Sequence, residues 1–141
     1  MVKGYKTIQT FKNEELHMRD PFIFTDEKNG RYLLYGTTMP NGAGSREPAF
    51  EVFVGTDLKT WEGPYLAFNP PAGFYGVRDY WAPEVHEYEG AYYLFGSVKG
   101  GIGEHRTTVI LRSDAPEGPF VPHNKEWLTL PGYECLDGTL Y

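Results

Sequence analysis

The stretch GRYLLYGTT at 30–38 returns as GAYYLFGSV at 90–98, 60 residues later. Both read Gly, one variable residue, Tyr, a Leu-containing aromatic run, Gly and a small hydroxyl residue. A second matching segment follows each: FEVFVGTDLKTWEGPYLAF at 50–68 and TTVILRSDAPEGPFVPH at 107–123. There a β-branched run leads to Thr or Ser, an Asp, a turn, Gly-Pro and an aromatic. Asp57 corresponds to Asp114, and Gly63-Pro64 to Gly118-Pro119. Ahead of each unit a Pro precedes a short strand-like run, in RDPFIF at 19–24 and WAPEVHEY at 81–88. LDGTLY at 136–141 reads as the start of a third unit. A chain that repeats at this length builds one supersecondary unit several times, each burying an apolar face against the next.

The units are made of strands. DEKNG at 26–30 and EYEG at 87–90 are hairpin loops. Aromatics make up 16% of the chain and favour strands, while 17 Gly and 11 Pro supply turns. Helical periodicity is nearly absent. Tyr32 and Leu34 lie on one face of their strand and Leu33 and Tyr35 on the other; Tyr92/Leu94 and Tyr93/Phe95 repeat this. Both faces are apolar, so each sheet is covered on both sides. Each unit reads as strand, tight turn, strand, loop, strand, Gly-Pro turn, strand. The expected fold is all-β, a β-propeller, with unit 1 over about 17–68, unit 2 over about 80–123 and the start of unit 3 over about 135–141. A β-sandwich is the alternative, but it needs no sequence repeat. Propellers close with about 4–8 blades. Residues 1–141 therefore read as the N-terminal portion of a single propeller domain. The remainder comes from the same longer chain, or from copies associating through an exposed blade face.

The formal net charge of −6 argues against nucleic-acid or anionic-membrane partners, which require a basic face. Cys135 is the single cysteine, so no internal disulfide forms, and it reads as a packed residue rather than a nucleophile. The opening MVKGYKTIQTFKNEEL has no apolar h-region, and no apolar run is long enough for a membrane helix. A cytoplasmic location is the corresponding expectation.

Carboxylates recur where the units start: Asp20, Glu84 and Asp137, 64 and 53 residues apart. The innermost strand of each propeller blade lines the central channel, so such residues converge at one mouth. Convergent carboxylates in an aromatic-lined pocket suit glycosidic bond hydrolysis, where one activates water and another protonates the leaving oxygen. Singly, each has a plainer reading. Asp before Pro opens turns, Glu84 suits a solvated strand edge, and Asp137-Gly138 is a turn dipeptide. GFYGVRDYWAPE at 73–84 brings Phe74, Tyr75, Tyr80 and Trp81 together, either as a sugar-stacking wall or as packing between blades. Arg78 and Asp79 either bond sugar hydroxyls or pair with neighbours on a loop. His17, His86 and His105 lack metal-ligand spacing. KGGIGEH at 99–105 lacks the Gly-Lys-Ser/Thr of a phosphate cradle.

MRDPFIF…GRYLLYGTT, then YWAPEVHEYEGAYYLFGSV, then LDGTLY, resembles the N-terminal half of glycoside hydrolase family 43 from about His17 to Tyr141. The resemblance implies a five-bladed β-propeller acting by inversion on plant polysaccharides of the arabinose and xylose type. It implies Asp20 as general base and Asp137 as the pKa-modulating, orienting residue. The general acid, a Glu of the fourth blade, has no counterpart within 1–141, so this chain alone is expected to be inactive. Arg19, Tyr80, Trp81 and Glu84 are the expected substrate-binding residues, with an oligosaccharide as partner. No cofactor is required; the family sometimes carries a calcium ion in the channel, with no ligands identifiable here.

Two other readings compete. Fructan-active, invertase-like propellers also use Arg-Asp-Pro and Glu-Cys, and this chain has RDP at 19–21 and EC at 134–135, in a different order. Those enzymes retain configuration. A non-catalytic carbohydrate-binding propeller would keep the aromatic wall and dispense with Asp20 and Asp137.

Overall fold

The alternating apolar runs become strands, and the Gly- and Asn-bearing segments become the turns between them. The computed structural model describes residues 7–38, 49–100, 104–124, 128–130 and 132–141. Its strands are β1 (Gln9–Lys12), β2 (Met18–Asp26), β3 (Arg31–Thr38), β4 (Phe50–Gly55), β5 (Thr60–Phe68), β6 (Arg78–Tyr88), β7 (Ala91–Lys99), β8 (Arg106–Ser113) and β9 (Val121–Pro122). One short 3-10 turn spans Asn13–Glu15. The strands form two antiparallel sheets, ordered β1-β5-β4-β3-β2 and β6-β7-β8-β9. The first strand of each repeat unit, β2 and β6, is an edge strand of its sheet, and the two pack against each other.

Both hairpin expectations hold. Asp26 pairs with Arg31 across the first loop, and Tyr88 with Ala91 across the second. The shorter loop places Glu89 (φ 49) and Gly90 (φ 77) in the left-handed region, the geometry that follows strand twist.

Strand alternation splits β3 between two cores. Leu33 and Tyr35 join Phe50, Val52 and Phe68 against Val85, Leu94, Val98, Val109 and Leu111 of the second sheet. Leu34 turns the other way, onto Leu16, Phe53 and Trp61. The first sheet is thus apolar and buried on both faces, as its sequence predicts. Each fully buried side chain of this size contributes about 1.5–3 kcal/mol. The close approach of the sheets depends on Gly96, where a Cβ would lie 2.4 Å from the Phe50 ring. Its repeat partner Gly36 likewise faces Met18, whose sulfur would be 2.3 Å away.

Two expectations change. The first sheet begins earlier than unit 1, because β1 adds itself to β5 and Phe11 meets Phe53 edge-on at 6.0 Å. Gly63-Pro64 is not a turn but lies inside β5. Pairing with β1 stops at Gly63, so Pro64, which has no N–H, sits where that edge of β5 is open. The turn before β5 is built by Asp57, whose Oδ1 accepts from the Lys59 and Thr60 amides at 2.9 and 2.8 Å. LDGTLY, read as the start of a third unit, carries no strand pairing within these residues. The Gly-rich loop at 99–105 lies partly outside the described residues.

Candidate active site

Asp20 stands at the start of β2, at the end remote from the β2–β3 hairpin. Between Arg19, paired with Thr37, and Phe22, paired with Tyr35, the register shifts at Asp20-Pro21. The same irregularity recurs in β6, between Trp81, paired with Ser97, and Glu84, paired with Phe95. Because Thr37 and Ser97 are repeat partners, Arg19 corresponds to Trp81, Asp20 to Ala82 and Phe22 to Glu84. Backbone conformation agrees: Asp20 has φ 50 and Ala82 φ 43, each directly before a Pro. Asp137 has φ 53.

This corrects the alignment of the three carboxylates. Asp20 and Asp137 share a conformation, whereas the matching place in the second unit belongs to Ala82, and Glu84 lies two residues further on. The reason is loop length. The first hairpin spends four residues between Asp26 and Arg31 and the second only two between Tyr88 and Ala91, so the offset of the first strands differs from that of the second strands.

Two buried hydroxyls tie these positions together. Thr37 Oγ1 accepts the Ala82 amide at 2.8 Å and donates to Asp20 Oδ2 at 3.0 Å. Ser97 Oγ accepts the Asp137 amide at 3.0 Å and faces Asp137 Oδ1 at 3.4 Å. The Gly138 amide donates to Thr108 Oγ1 at 3.2 Å and the Cys135 amide to the Arg106 carbonyl at 3.1 Å, holding the Asp137 segment against the starts and ends of β7 and β8. Cys135 itself is half-buried and unpaired with sulfur. A continuous path of contacts thus runs from Asp20 through Thr37, Ala82, Trp81 and Ser97 to Asp137. Both carboxylates are exposed along it.

The aromatic segment divides. Trp81 is half-buried, with the Arg106 guanidinium 4.2 Å and the Arg19 guanidinium 5.7 Å from its ring centre. Arg19 is exposed beside Asp20. Tyr80, expected to bind substrate, is instead a core residue. It is 9% exposed, its ring lies 5.0 Å from that of Phe50, and its hydroxyl donates to the Gly76 carbonyl at 2.7 Å. Strand alternation turns Tyr80 inward when Trp81 turns outward, and burial pushes the Tyr80 phenol well up. Phe74 and Tyr75 also pack, Phe74 meeting Phe68 at 5.2 Å. Burial, opposed by a hydrogen bond with Asn124, takes the Tyr75 phenol to about 12.

Glu84 Oε1 lies 3.0 Å from His86 Nε2, and the imidazole is flanked by Phe22 and Phe95. Arg78 pairs with Glu104 at 2.8 Å, and Asp79 with Arg106 at 3.0 Å, so this pair follows the loop-pairing reading. Arg106 also reaches Glu134 at 3.6 Å. Sequence reading passed over Thr37, Ser97 and Arg106. For the first two the signal was present, as the small hydroxyl closing each repeated motif. Arg106 carried none, because it acts through residues distant in the chain. No group of three or more His, Cys, Asp or Glu among the described residues is arranged to hold a metal ion. No helix among them is long and apolar enough to cross a membrane.

Two packed antiparallel sheets, with their first strands side by side, define part of a β-propeller. The chain belongs to glycosyl hydrolases family 43, whose pattern its residues 14–141 match. Among solved structures it is similar to an endo-arabinase from Bacteroides thetaiotaomicron, with 38% identity and a TM-score of 0.77 over 96% of this chain and 44% of that one. A thermostable family-43 glycoside hydrolase follows, at 26% identity and a TM-score of 0.76, over 93% of this chain and 40% of that one. An endo-1,4-beta-xylanase from the same Bacteroides species shares 28% identity with a TM-score of 0.61, over 88% and 38%. The chain therefore spans less than half the length of these structures. No curated protein sequence matches it.

Proposed function

We propose that this chain supplies the first two blades of an inverting glycosidase that cleaves arabinose- or xylose-type plant polysaccharides, with arabinan as the leading substrate. The carrying observation is the Asp20 carboxylate, exposed at the start of β2 and held by the Thr37 hydroxyl at 3.0 Å. Likeness to the endo-arabinase supports arabinan.

In this reading Asp20 takes a proton from the water that attacks the anomeric carbon. The water's oxygen forms the new C–O bond as the glycosidic C–O bond breaks, and the leaving oxygen takes a proton from a carboxylic acid. That acid comes from the remaining blades, about 6.5–9.5 Å from Asp20, which leaves room for the water. Asp137 orients the pair, Arg19 and Trp81 bear on the sugar, and Glu84, paired with His86, takes a binding or orienting role. A channel calcium remains an accessory, and no step passes through it. Family 43 membership favours inversion over the retaining, invertase-like course.

The test is proton NMR of the first product formed from arabino-oligosaccharides by the complete propeller containing these blades. Inverted anomeric configuration is expected, with turnover reduced about 100- to 10,000-fold in Asp20→Asn. Retention would overturn the mechanism. Oligosaccharide binding without hydrolysis would make the protein a carbohydrate-binding module.

A further inference from the structure

Thr37 is 3% exposed and Ser97 is fully buried, yet the hydroxyl of each reaches an exposed carboxylate. A hydroxyl has one proton to give. At Thr37 the Ala82 amide donates to Oγ1 at 2.8 Å, so the oxygen is an acceptor on that side. Its own proton is then directed to Asp20 Oδ2 at 3.0 Å. Ser97, its repeat partner, also accepts the amide that opens the next unit, but here amide and carboxylate belong to one residue, Asp137. The Asp137 amide donates to Oγ at 3.0 Å, leaving the hydroxyl proton toward Asp137 Oδ1 at 3.4 Å. In each case the amide belongs to a left-handed residue opening the next unit, Ala82 or Asp137. Non-glycine residues hold that conformation only where their surroundings determine it.

We infer that Thr37 and Ser97 are positioning residues for Asp20 and Asp137: the amide of the following unit polarises each hydroxyl so that it grips the carboxylate. Thr37 does this across the two sheets, so docking of the second blade orients the carboxylate of the first. A wrongly assembled rim would leave Asp20 free to rotate. The assignment rests on Asp20 acting as the base, and on nothing about which sugar is cleaved.

The test compares Thr37→Val, which keeps shape and loses the hydroxyl, with Thr37→Ser, which keeps the hydroxyl, both in the complete propeller. On arabino-oligosaccharides, kcat should fall about 100-fold in Thr37→Val, as misplacement of a reacting group does. KM should stay within about threefold, and Thr37→Ser should return kcat to within about threefold of the parent. A merely structural Thr37 would lower stability without this split or rescue. The second readout needs no substrate: the Asp20 carboxyl carbon-13 resonance should move in Thr37→Val and return in Thr37→Ser. Unchanged kcat in Thr37→Val, or an unmoved Asp20 resonance, overturns the inference. If the parent hydrolyses nothing, the hydrolytic reading fails, and the resonance alone decides the positioning. If Thr37→Val does not fold, Ser97→Ala makes the same comparison at Asp137.

Discussion

Asp20 and Asp26 sit at opposite ends of β2 and show how differently one side-chain type is used. Asp20 is exposed, in a left-handed conformation that Asp tolerates better than most residues, and its carboxylate accepts from the Thr37 hydroxyl. Asp26 is 4% exposed, accepts from Asn29 and lies 2.7 Å from the Arg31 guanidinium, which also reaches Glu117 at 2.8 Å. Burial pushes the Asp26 carboxyl up, but the bonds from Asn29 and Arg31 outweigh it and hold it below its ordinary 3.8. Its contribution to stability is therefore complete above the unfolded value and is lost as pH falls through the lower folded one. Asp26→Asn should remove that part of the acid loss. Urea midpoints taken from about pH 5 down to about pH 2 would check this. An acid slope identical to the parent's would refute it. At this scale the sequence singled out Asp20, which the fold leaves exposed, and assigned to substrate a Tyr80 that the fold packs into the core. Nothing local tells which of two adjacent aromatics a bulged strand turns inward.

At the scale of the element, the repeated Gly-hydroxyl pair is the informative unit. Gly36-Thr37 and Gly96-Ser97 each join a glycine that permits close packing to a hydroxyl that ties two units together. Gly96→Ala should force the Phe50 ring aside and cost about 1–3 kcal/mol, as overpacking does. Thermal melts would read the loss, and an unchanged Tm would show that the ring has room to yield. Strands and hairpins were legible because side-chain period and turn chemistry are local. The Gly-Pro segments were not, since whether a Pro is tolerated in β5 depends on where β1 stops pairing. The turn residues moved as well: Asp57 caps the loop before β5, but after β8 it is Ser113 Oγ that accepts the Ala115 amide, while Asp114 pairs with Arg112.

Over the whole molecule the two sheets share one core, so they should unfold together. Phe50 stands on the first sheet and touches Phe68 and Tyr80. Phe50→Ala should cost about 3–5 kcal/mol. Amide exchange should then accelerate alike in β4 and β7, and a change confined to β4 would mean that the sheets are independent. In the second sheet β8 alternates buried and half-buried residues, and Leu130 and Tyr133 beyond β9 are 72% and 65% exposed. Repetition, strand content, both-face burial of the first sheet and the likeness to family 43 could all be read along the chain, because each is written in neighbouring residues. That Ala82 stands in register with Asp20, that Thr37 grips a carboxylate while accepting from the next blade, and that Arg106 covers Trp81 were decided only by folding. Each depends on a bulge, a loop length or a contact between residues far apart, and such distances close only when the sheets pack.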